Sequence, residues 1–257
     1  MSSALSISLD RMLPPLDVHA HVDPTVTAAQ LGTLGSALVF AVTRSLAEAE
    51  RVRSRNDDRL IWGLGTHPGV SDAIAQYDGA TFRRLLPDFM LVGEIGLDRR
   101  VSGEAAVAVL HDTLAAARDQ KRISTVHSTG RHTAVVEAVA DSGACVILHW
   151  FLGSSTHIER ATEAGAFFSV NAAMSDSQIT SLPTDRLLPE TDFPFTKKAG
   201  SRLPGDIEVL ERRVAQLLGL SRDSVRQMWY LNLRNALKAA GCLDSVPNAL
   251  MKPLLSA

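Results

Sequence analysis

Residues Asp17-Val18-His19-Ala20-His21 alternate polar with small apolar side chains, which is the period of a β-strand. Successive side chains of a strand point to opposite faces, so Asp17, His19 and His21 share one face. A strand rises about 3.3 Å per residue, which puts the two imidazoles about 6.6 Å apart, within reach of one metal ion. Two histidines at this spacing also occur in ordinary strands, so residues further along the chain must decide between a structural role and a metal site.

The composition is that of a globular protein with a sizeable core. The chain has 257 residues, of which 46% are hydrophobic and 21% charged, a balance that argues against disorder. This length suits one large α/β barrel or two modest domains. The formal net charge of −2 excludes a generally basic surface, so a polyanionic ligand would have to meet a local basic patch.

The sequence carries no recognisable membrane or export signal. No apolar run reaches the roughly 18 residues of a membrane-spanning helix. Residues 1–15 lack the basic start and apolar centre of a signal peptide. Cys145 and Cys242 do not make a disulfide framework and are typical of a reducing compartment. We therefore predict a cytoplasmic protein with no membrane partner.

Short apolar segments rich in β-forming residues recur along the chain, separated by segments with the period of amphipathic helices. The predicted strands are Leu16–Val22, Ala37–Val42, Leu60–Thr66, Met90–Leu97, Ile123–His127, Cys145–Trp150, Ala166–Val170 and Arg186–Asp192. The clearest helices are Ala105–Gln120, Ala134–Ala140, Ile207–Leu218 and Ser221–Ala240. Strand centres fall roughly 20–30 residues apart, the length of a βα unit, so the pattern predicts a single (β/α)8 TIM barrel with an extra C-terminal helix.

The barrel is predicted to form one domain over residues 1–257. Its core spans about residues 16–240, and the tail at 241–257 has little helical or strand signal, which predicts a loose segment. A doubly wound open sheet is the competing fold. No Gly-x-Gly-x-x-Gly turn follows any early strand, so the barrel is favoured.

Polar residues that are costly to bury fall at the carboxyl ends of the predicted strands. They are His67, Glu94, His127, His149 and Asp192. In barrel enzymes this end of the strands carries the catalytic residues. Together with the histidines of the first strand, these groups suffice for two metal ions about 3.5–4 Å apart with a bridging carboxylate.

The same residues belong to an ordered set of motifs. In chain order the motifs are Asp-x-His-x-His, Gly-x-His-Pro, Gly-Glu-Ile-Gly-Leu-Asp, a lone histidine closing the fifth strand, His-x-Phe-x-Gly and Glu-Thr-Asp-x-Pro. This set resembles the TatD family of metal-dependent deoxyribonucleases, within the amidohydrolase-like metallohydrolases. The resemblance covers about residues 16–235, including Asn232-Leu233-Arg234-Asn235 in the last predicted barrel helix.

The resemblance implies a role for each motif residue. The implied ligands of two divalent metal ions are His19, His21, Glu94, His127, His149 and Asp192. Glu94 would bridge the ions, and Asp192 would also handle the proton of the attacking water. His67 would be a supporting or substrate-facing group. Mixed imidazole and carboxylate donors suit Mg, Mn and Zn, so the sequence does not choose the metal.

The implied function is hydrolysis of DNA phosphodiester bonds by metal-activated water, in an exonuclease that acts on single strands or 3′ ends. One alternative is a small-molecule amidohydrolase or phosphoesterase of the same superfamily. Another is a subunit of a multi-protein anti-phage defence complex. The substrate is the open point, because Ser128-Thr129-Gly130-Arg131 follows His127, whereas family members usually carry an arginine directly after the His-Ser pair.

Further polar and aromatic residues lie next to the implied ligands. Asp17 and Glu190 share strand faces with them and are predicted to orient imidazoles or water molecules. Asp98 is either a loop cap or a substrate-side group. Trp150 and Phe151 follow a ligand at a strand end, where their rings could stack on a base.

Basic residues follow several strand ends and are predicted to rim the catalytic mouth. They are Arg99, Arg100, Arg131, Lys197, Lys198 and Arg202. Loops after barrel strands open on the carboxyl face, so these charges could contact a polyanion despite the net charge of −2. The residues predicted to bind substrate are His67, Arg131, Trp150, Lys197, Lys198 and Arg202. Solvated loop charges without a ligand are an equal alternative for Lys197 and Lys198.

Overall fold

The computed structural model describes residues 13–101 and 103–257, and each segment predicted as a strand forms one there. The strands are β1 (Leu16–His21), β2 (Leu38–Val42), β3 (Leu60–Leu64), β4 (Leu91–Gly96), β5 (Ile123–His127), β6 (Val146–Leu148), β7 (Phe167–Val170) and β8 (Leu187–Pro189). They form one sheet in the order β1 to β8, and every neighbouring pair is parallel. At least one helix lies between each strand and the next, as in a (β/α)8 barrel.

The helices between the strands are α1 (Ala28–Gly32), α2 (Leu46–Val52), α3 (Ser71–Ala75), α4 (Gly79–Leu85), α5 (Glu104–Asp119), α6 (His132–Ser142), α7 (Ser155–Glu163) and α8 (Asp176–Thr180). After the last strand come α9 (Glu208–Leu218), α10 (Arg222–Ala240) and α11 (Asn248–Ser256). Their apolar faces pack on the sheet, and side chains such as Phe40, Phe82 and Phe168 are fully buried. Among the described helices, none is long and apolar enough to cross a membrane.

The seam between β8 and β1 closes the barrel through backbone hydrogen bonds beyond the end of β8. The amide of Asp192 donates to the carbonyl of His19, and the amide of His21 donates to the carbonyl of Phe193, both at 2.9 Å. These bonds tie the segment after β8 to the strand that carries the two motif histidines. The last predicted ligand is thereby brought beside the first two.

Strands β3, β6 and β8 end two or three residues earlier than predicted, β3 at Leu64 rather than Thr66. β6 ends at Leu148 and β8 at Pro189, whereas the sequence pattern continues to Trp150 and Asp192. Trp150 has φ 40° and Asp192 has φ 44°, in the left-handed region that costs non-glycine residues on the order of 1–3 kcal/mol. This conformation turns the chain out of the strand direction. The polar residues after β6 and β8 therefore lie on short loops at the barrel mouth.

Helix α10 lies across the amino-terminal ends of several strands. The hydroxyl of Tyr230 donates to the carbonyl of Pro14 ahead of β1 (3.1 Å), and the Asn232 side-chain amide donates to the carbonyl of Leu187 in β8 (2.9 Å). Leu233 and Leu237 of the same helix are fully buried. α10 therefore covers the end of the barrel that lies opposite the polar loops.

The tail after Gly241 is ordered, so the prediction of a loose segment was wrong. It forms α11, in which Leu250 and Leu254 are fully buried. The guanidinium of Arg234 in α10 donates to the carbonyl of Leu254 at 3.1 Å. The sequence signal was weak because Pro253 interrupts a short helix that is stabilised by packing against α10.

Candidate metal centre

The carboxyl ends of five strands bring the predicted metal ligands to one point. His19 and His21 lie in β1, Glu94 in β4 and His127 at the end of β5. His149 and Asp192 directly follow the ends of β6 and β8. His21 is partly buried and the others are buried, an environment in which imidazoles and carboxylates need compensating partners.

The first group of donor atoms combines Nε2 of His19, Nε2 of His21, Oε2 of Glu94 and Oδ1 of Asp192. Oε2 of Glu94 lies 3.6 Å from His19 Nε2 and 3.2 Å from His21 Nε2. Oδ1 of Asp192 lies 4.0 Å and 3.7 Å from the same two nitrogens. Ligands at about 2.1 Å from a tetrahedral ion are about 3.4 Å apart, so this group has the spacing of a metal site.

The second group uses the other oxygen of Glu94. Oε1 lies 2.8 Å from Nδ1 of His127 and 3.1 Å from Nε2 of His149. The two nitrogens are themselves 3.0 Å apart. Oε1 of Glu94 thus faces His127 and His149, whereas Oε2 faces the two histidines of β1 and also His67, whose Nε2 lies 3.2 Å away.

Several of these atoms have no other partner. Nε2 of His19, Oε2 of Glu94 and Oδ1 of Asp192 are buried and make no hydrogen bond within the described residues. A buried polar atom left unpaired costs about 1–3 kcal/mol. Among the described residues, His19, His21 and Asp192 form one set whose donor atoms lie close enough to share a cation, and His19, Glu94 and His149 form another, so the residues present fit the metal ions that the sequence implies.

Asp98 supports His127 from the far side of its ring. Oδ2 of Asp98 lies 2.9 Å from His127 Nε2, and Arg100 donates to the same carboxylate from Nε (2.9 Å) and Nη2 (2.7 Å). A proton on Nε2 leaves the Nδ1 lone pair free to face Glu94. Asp98 also accepts the amide of Arg100 at 2.7 Å, so it caps the loop, which was one of the two alternatives left by the sequence, and it supports His127 as well.

Asp17 and Glu190 are fully buried behind the two groups. Asp17 accepts hydrogen bonds from the amides of His19, Thr191 and Gly205, and from the Thr191 hydroxyl. It therefore positions the backbone next to the motif residues rather than an imidazole. Glu190 has one oxygen 3.7 Å from Nδ1 of His149, close to the predicted orienting role.

His67 lies beside the cluster, and its tautomer presents a hydrogen-bond donor to Glu94. The amide of Gly69 donates to His67 Nδ1 at 2.9 Å, so the hydrogen of the neutral ring is on Nε2. That nitrogen is 3.2 Å from Oε2 of Glu94. Burial lowers the pKa of His67 to about 4, so the ring is neutral at physiological pH. His67 presents an N–H rather than a lone pair, which suits a hydrogen-bond donor better than a metal ligand.

Burial and neighbouring charges shift the pKa values of three cluster residues in different directions. Burial raises the pKa of Asp192 to about 8, and burial lowers the pKa of His19 to about 3. Burial also opposes ionisation of Glu94, but the surrounding His67, His149 and His127 hold its pKa well below the usual value. Glu94 is therefore a carboxylate, whereas Asp192 carries a proton at neutral pH until a cation replaces it.

The sequence model of the family described as TatD related DNase matches residues 16–238. The chain belongs to the TatD family. Membership of this family, together with the donor groups described above, makes the protein a metal-dependent hydrolase. No sequence among curated proteins matches this TatD protein.

Solved structures share the barrel of this TatD protein. YjjV, a TatD homolog from Escherichia coli K12, matches with a TM-score of 0.72 and 23% identity, over 88% of this chain and 98% of its own. A TatD family hydrolase from Entamoeba histolytica matches with a TM-score of 0.62 and 13% identity, over 77% and 83%. The phosphotriesterase homology protein from E. coli, complexed with phosphate in its active site, matches with a TM-score of 0.57 and 12% identity, over 84% and 96%. These likenesses establish the fold.

A cavity of about 400 Å³ opens onto the donor groups of this TatD protein. Besides the ligand residues it is lined by His67, Arg100, Thr129, Trp150, Leu152 and Phe195. His67 and Trp150 were predicted to bind substrate, and Arg100 was placed in the basic rim. Leu152 and Phe195 were missed, although an aromatic residue three positions after a ligand is a signal that the sequence offered. Phe151 is buried against Phe168, so its predicted base contact was wrong.

The other predicted substrate residues lie outside the cavity lining. Arg131 precedes α6 and is partly buried, and Lys198 is exposed. Nζ of Lys197 lies 4.7 Å from the centre of the Phe193 ring. Arg202 pairs with Asp206 at 3.0 Å. Substrate contact by these four residues of the TatD protein stays a prediction.

Proposed function

We propose that this chain hydrolyses phosphodiester bonds in DNA with two divalent cations. The observation that carries the proposal is that the two carboxylate oxygens of Glu94 face different histidines. Oε2 faces the β1 histidines and Oε1 faces His127 and His149. A bridging carboxylate of this kind is the arrangement expected between two metal ions. The proposed ligands are His19, His21, Glu94, His127, His149 and Asp192.

Two cations bound there would lower the pKa of a water molecule and stabilise the charge of the phosphoryl transition state. Asp192 would accept the proton of the attacking water once its own proton has left, because its carboxyl group is buried beside the two histidines of β1. Glu94 would hold the two ligand groups at a fixed separation. The Nε2–H of His67 would donate to a phosphoryl oxygen, since its tautomer is set by Gly69.

Arg100 is the proposed phosphate contact. Its Nε and Nη2 are held by Asp98, whereas Nη1 makes no hydrogen bond within residues 13–101 and 103–257. It lines the cavity beside Thr129, the position at which family members usually carry an arginine. A guanidinium supplied from the loop after β4 would therefore replace the one missing after β5.

A small-molecule hydrolase is the second candidate. Arg131, Lys197, Lys198 and Arg202 do not line the cavity, which weakens the case for a long polyanion. A lactonase from Listeria monocytogenes shares the barrel with a TM-score of 0.57. A cavity of about 400 Å³ is also near the lower end of the range for small-molecule sites, about 300–1,000 Å³.

One experiment separates these candidates. The purified chain would be stripped of metal, reloaded with Mg, Mn or Zn, analysed for bound metal, and incubated with DNA, RNA, an aryl phosphodiester and a lactone. The proposal predicts metal-dependent cleavage of DNA that is lost in Glu94→Gln and retained in the exposed control Glu137→Gln. Turnover of the lactone without cleavage of DNA would favour the small-molecule hydrolase.

The same preparation tests whether the enzyme cleaves from an end of the DNA or internally. We propose an exonuclease that acts on single strands or 3′ ends, so linear single-stranded DNA should be degraded while a circular single strand persists. A blocked 3′ end should protect the linear strand. Cleavage of the circle would show endonuclease activity instead. Full activity of the isolated chain would also contradict a requirement for partners in a defence complex.

A further inference from the structure

Two large apolar side chains are exposed at the mouth of the cavity. Phe195 is 65% exposed and Leu152 is 46% exposed, and both belong to the cavity lining. Scattered exposed apolar residues are common on protein surfaces, but apolar groups that adjoin a polar site usually mark contact with a ligand. These two adjoin the buried carboxylates and imidazoles of the candidate metal centre.

Phe195 is fixed in place by the loop that carries Asp192. Its amide donates to the carbonyl of Asp192 at 2.8 Å, closing a tight turn. The ring contacts the His21 ring edge to face, with centres 5.6 Å apart and planes at 83°. Since most of the side chain is still exposed, the phenyl ring is positioned but not covered.

Trp150 extends the same apolar surface. It directly follows His149, and its φ of 40° is unfavourable for a bulky residue. Strained backbone of this kind clusters at functional sites, where the surrounding structure holds it in place. The conformation places a partly buried indole in the cavity lining next to a proposed ligand.

The polar lining comes from a different set of loops. His67, Arg100 and Thr129 follow β3, β4 and β5, whereas Trp150, Leu152 and Phe195 follow β6 and β8. In a closed barrel with the strand order β1 to β8, β4 lies opposite β8, so Arg100 and Phe195 come from opposite sides of the mouth, whereas Thr129 and Trp150 follow the neighbouring strands β5 and β6.

His67 and Arg100 lie close together within the polar set. A Cβ on Gly69 would lie 2.3 Å from Arg100 Nη2 and 3.0 Å from His67 Cε1, so both side chains pack closely against this glycine. The cavity therefore has a donor side for an anionic group and an apolar side opposite it.

We propose that Phe195, together with Trp150 and Leu152, is the specificity-determining wall of the site and receives a single nucleobase. The inference rests on the proposed function and assigns the scissile phosphate to the side of Arg100 and His67. A cavity of about 400 Å³ has room for one nucleotide unit beside the phosphate rather than several. Face-to-face stacking on an uncovered aromatic ring is the interaction by which proteins hold single-stranded bases of any sequence.

The test compares a thymidine dinucleotide with two analogues that each lack one base. In the wild type, loss of one particular base should lower kcat/KM about tenfold, whereas loss of the other base should change it little. Phe195→Ala should lower kcat/KM on the full dinucleotide about tenfold and leave the analogue without the recognised base unchanged. The control Leu220→Ala removes an exposed leucine that follows α9 and should behave as the wild type. Equal kcat/KM on all three compounds in the wild type, or an equal loss of kcat/KM on all three in Phe195→Ala, would contradict the proposal that the wall binds one nucleobase.

A binding measurement keeps this inference separate from the proposed function. Calorimetry on the metal-loaded chain would compare thymidine monophosphate, deoxyribose phosphate and phenyl phosphate. We expect thymidine monophosphate to bind about tenfold more tightly than deoxyribose phosphate, and Phe195→Ala to abolish the difference. This result would support nucleobase binding by the apolar wall even in a protein that cleaves no DNA. If Phe195 increased the affinity for phenyl phosphate alone, the apolar wall would be assigned to an aryl substrate and the proposal of a nucleobase site would be wrong.

Discussion

Oδ2 of Asp98 lies 2.9 Å from Nε2 of His127, on the side of the imidazole opposite Glu94. Burial of Asp98 opposes its ionisation, but hydrogen bonds from Arg100 lower the pKa of this carboxyl to about 2. The ionised carboxylate accepts a hydrogen bond from the Nε2–H of His127 and fixes the ring orientation. Arg100 thus contributes twice, through Asp98 to the imidazole and through its remaining nitrogen to the cavity.

Asp98→Ala should weaken metal binding without removing a ligand. Loss of the carboxylate frees the His127 ring to rotate and to change tautomer, so metal affinity should fall about 10–100-fold. Metal titration by calorimetry measures the change, and Asp119→Ala, at an exposed site on α5, is the control. An unchanged affinity would mean that packing alone orients His127.

Glu94→Ala should separate chemistry from folding. Loss of the bridging carboxylate should lower the rate on the order of 10³-fold, because it removes several kcal/mol of organised charge stabilisation. The melting temperature should change little, since the barrel is stabilised by its apolar layers. Turnover and thermal unfolding would be measured side by side. Near-normal turnover in the presence of metal would rule out the bridging role.

Metal binding should release protons at neutral pH. Asp192, with its pKa raised by burial to about 8, is protonated in the metal-free chain below that pH. Burial lowers the pKa of His149, but Glu94 and Glu190 raise it well above the usual value, so this ring is also protonated. Both protons must leave before the groups can bind a cation, so metal affinity should rise with pH up to about pH 8.

Calorimetry in two buffers of different ionisation enthalpy would count the protons released at pH 6.5. Asp192→Asn should release about one proton fewer than the wild type. His19 should not contribute, because its pKa of about 3 leaves it neutral over this range. Binding without proton release in the wild type would show that other groups titrate.

Arg226→Ala should destabilise the fold without a direct effect on the site. Glu211 in α9 is fully buried and paired with Arg226 and Arg222 of α10, and Arg226 also donates to the carbonyl of Leu13. Removing one partner of a buried ion pair costs about 3–5 kcal/mol, and Arg222 should keep the loss near the lower value. Urea unfolding would measure the difference.

Two variants support the interpretation of that measurement. Arg212→Ala, at an exposed position of α9, should stay within about 0.5 kcal/mol of the wild type. Adding Glu211→Leu to Arg226→Ala should recover part of the stability, because no buried charge is then left unpaired. Equal stability of Arg226→Ala and the wild type would mean that the ion pair contributes nothing net.

Local sequence pattern predicted the barrel because strand and helix periods are properties of short segments. Every predicted strand is present, and the shortening of β6 and β8 follows from the left-handed φ of Trp150 and Asp192. The pattern failed after Gly241. Helix α11 is short and contains Pro253, so it forms only where α10 provides an apolar surface.

The basic residues show the limit of reasoning from position in the chain. Lys197, Arg202 and Arg100 all follow strand ends, yet only Arg100 of these lines the cavity. Arg202 is turned away by Asp206 and Lys197 lies over Phe193. Which way a long flexible side chain points depends on partners brought in by neighbouring residues and loops, and no strand period encodes those partners.

The sequence by itself determined which imidazoles and carboxylates meet, because the carboxyl ends of parallel barrel strands converge whatever the loops do. Only the tertiary structure decided how each group is used. The Gly69 amide sets the tautomer of His67, Asp98 sets that of His127, and a tight turn after Asp192 places Phe195 at the mouth. Two of these contacts join residues within three positions of each other and one joins residues 29 positions apart, but each hydrogen bond forms only when the folded backbone sets its length to within a few tenths of an ångström, which residue order alone does not specify.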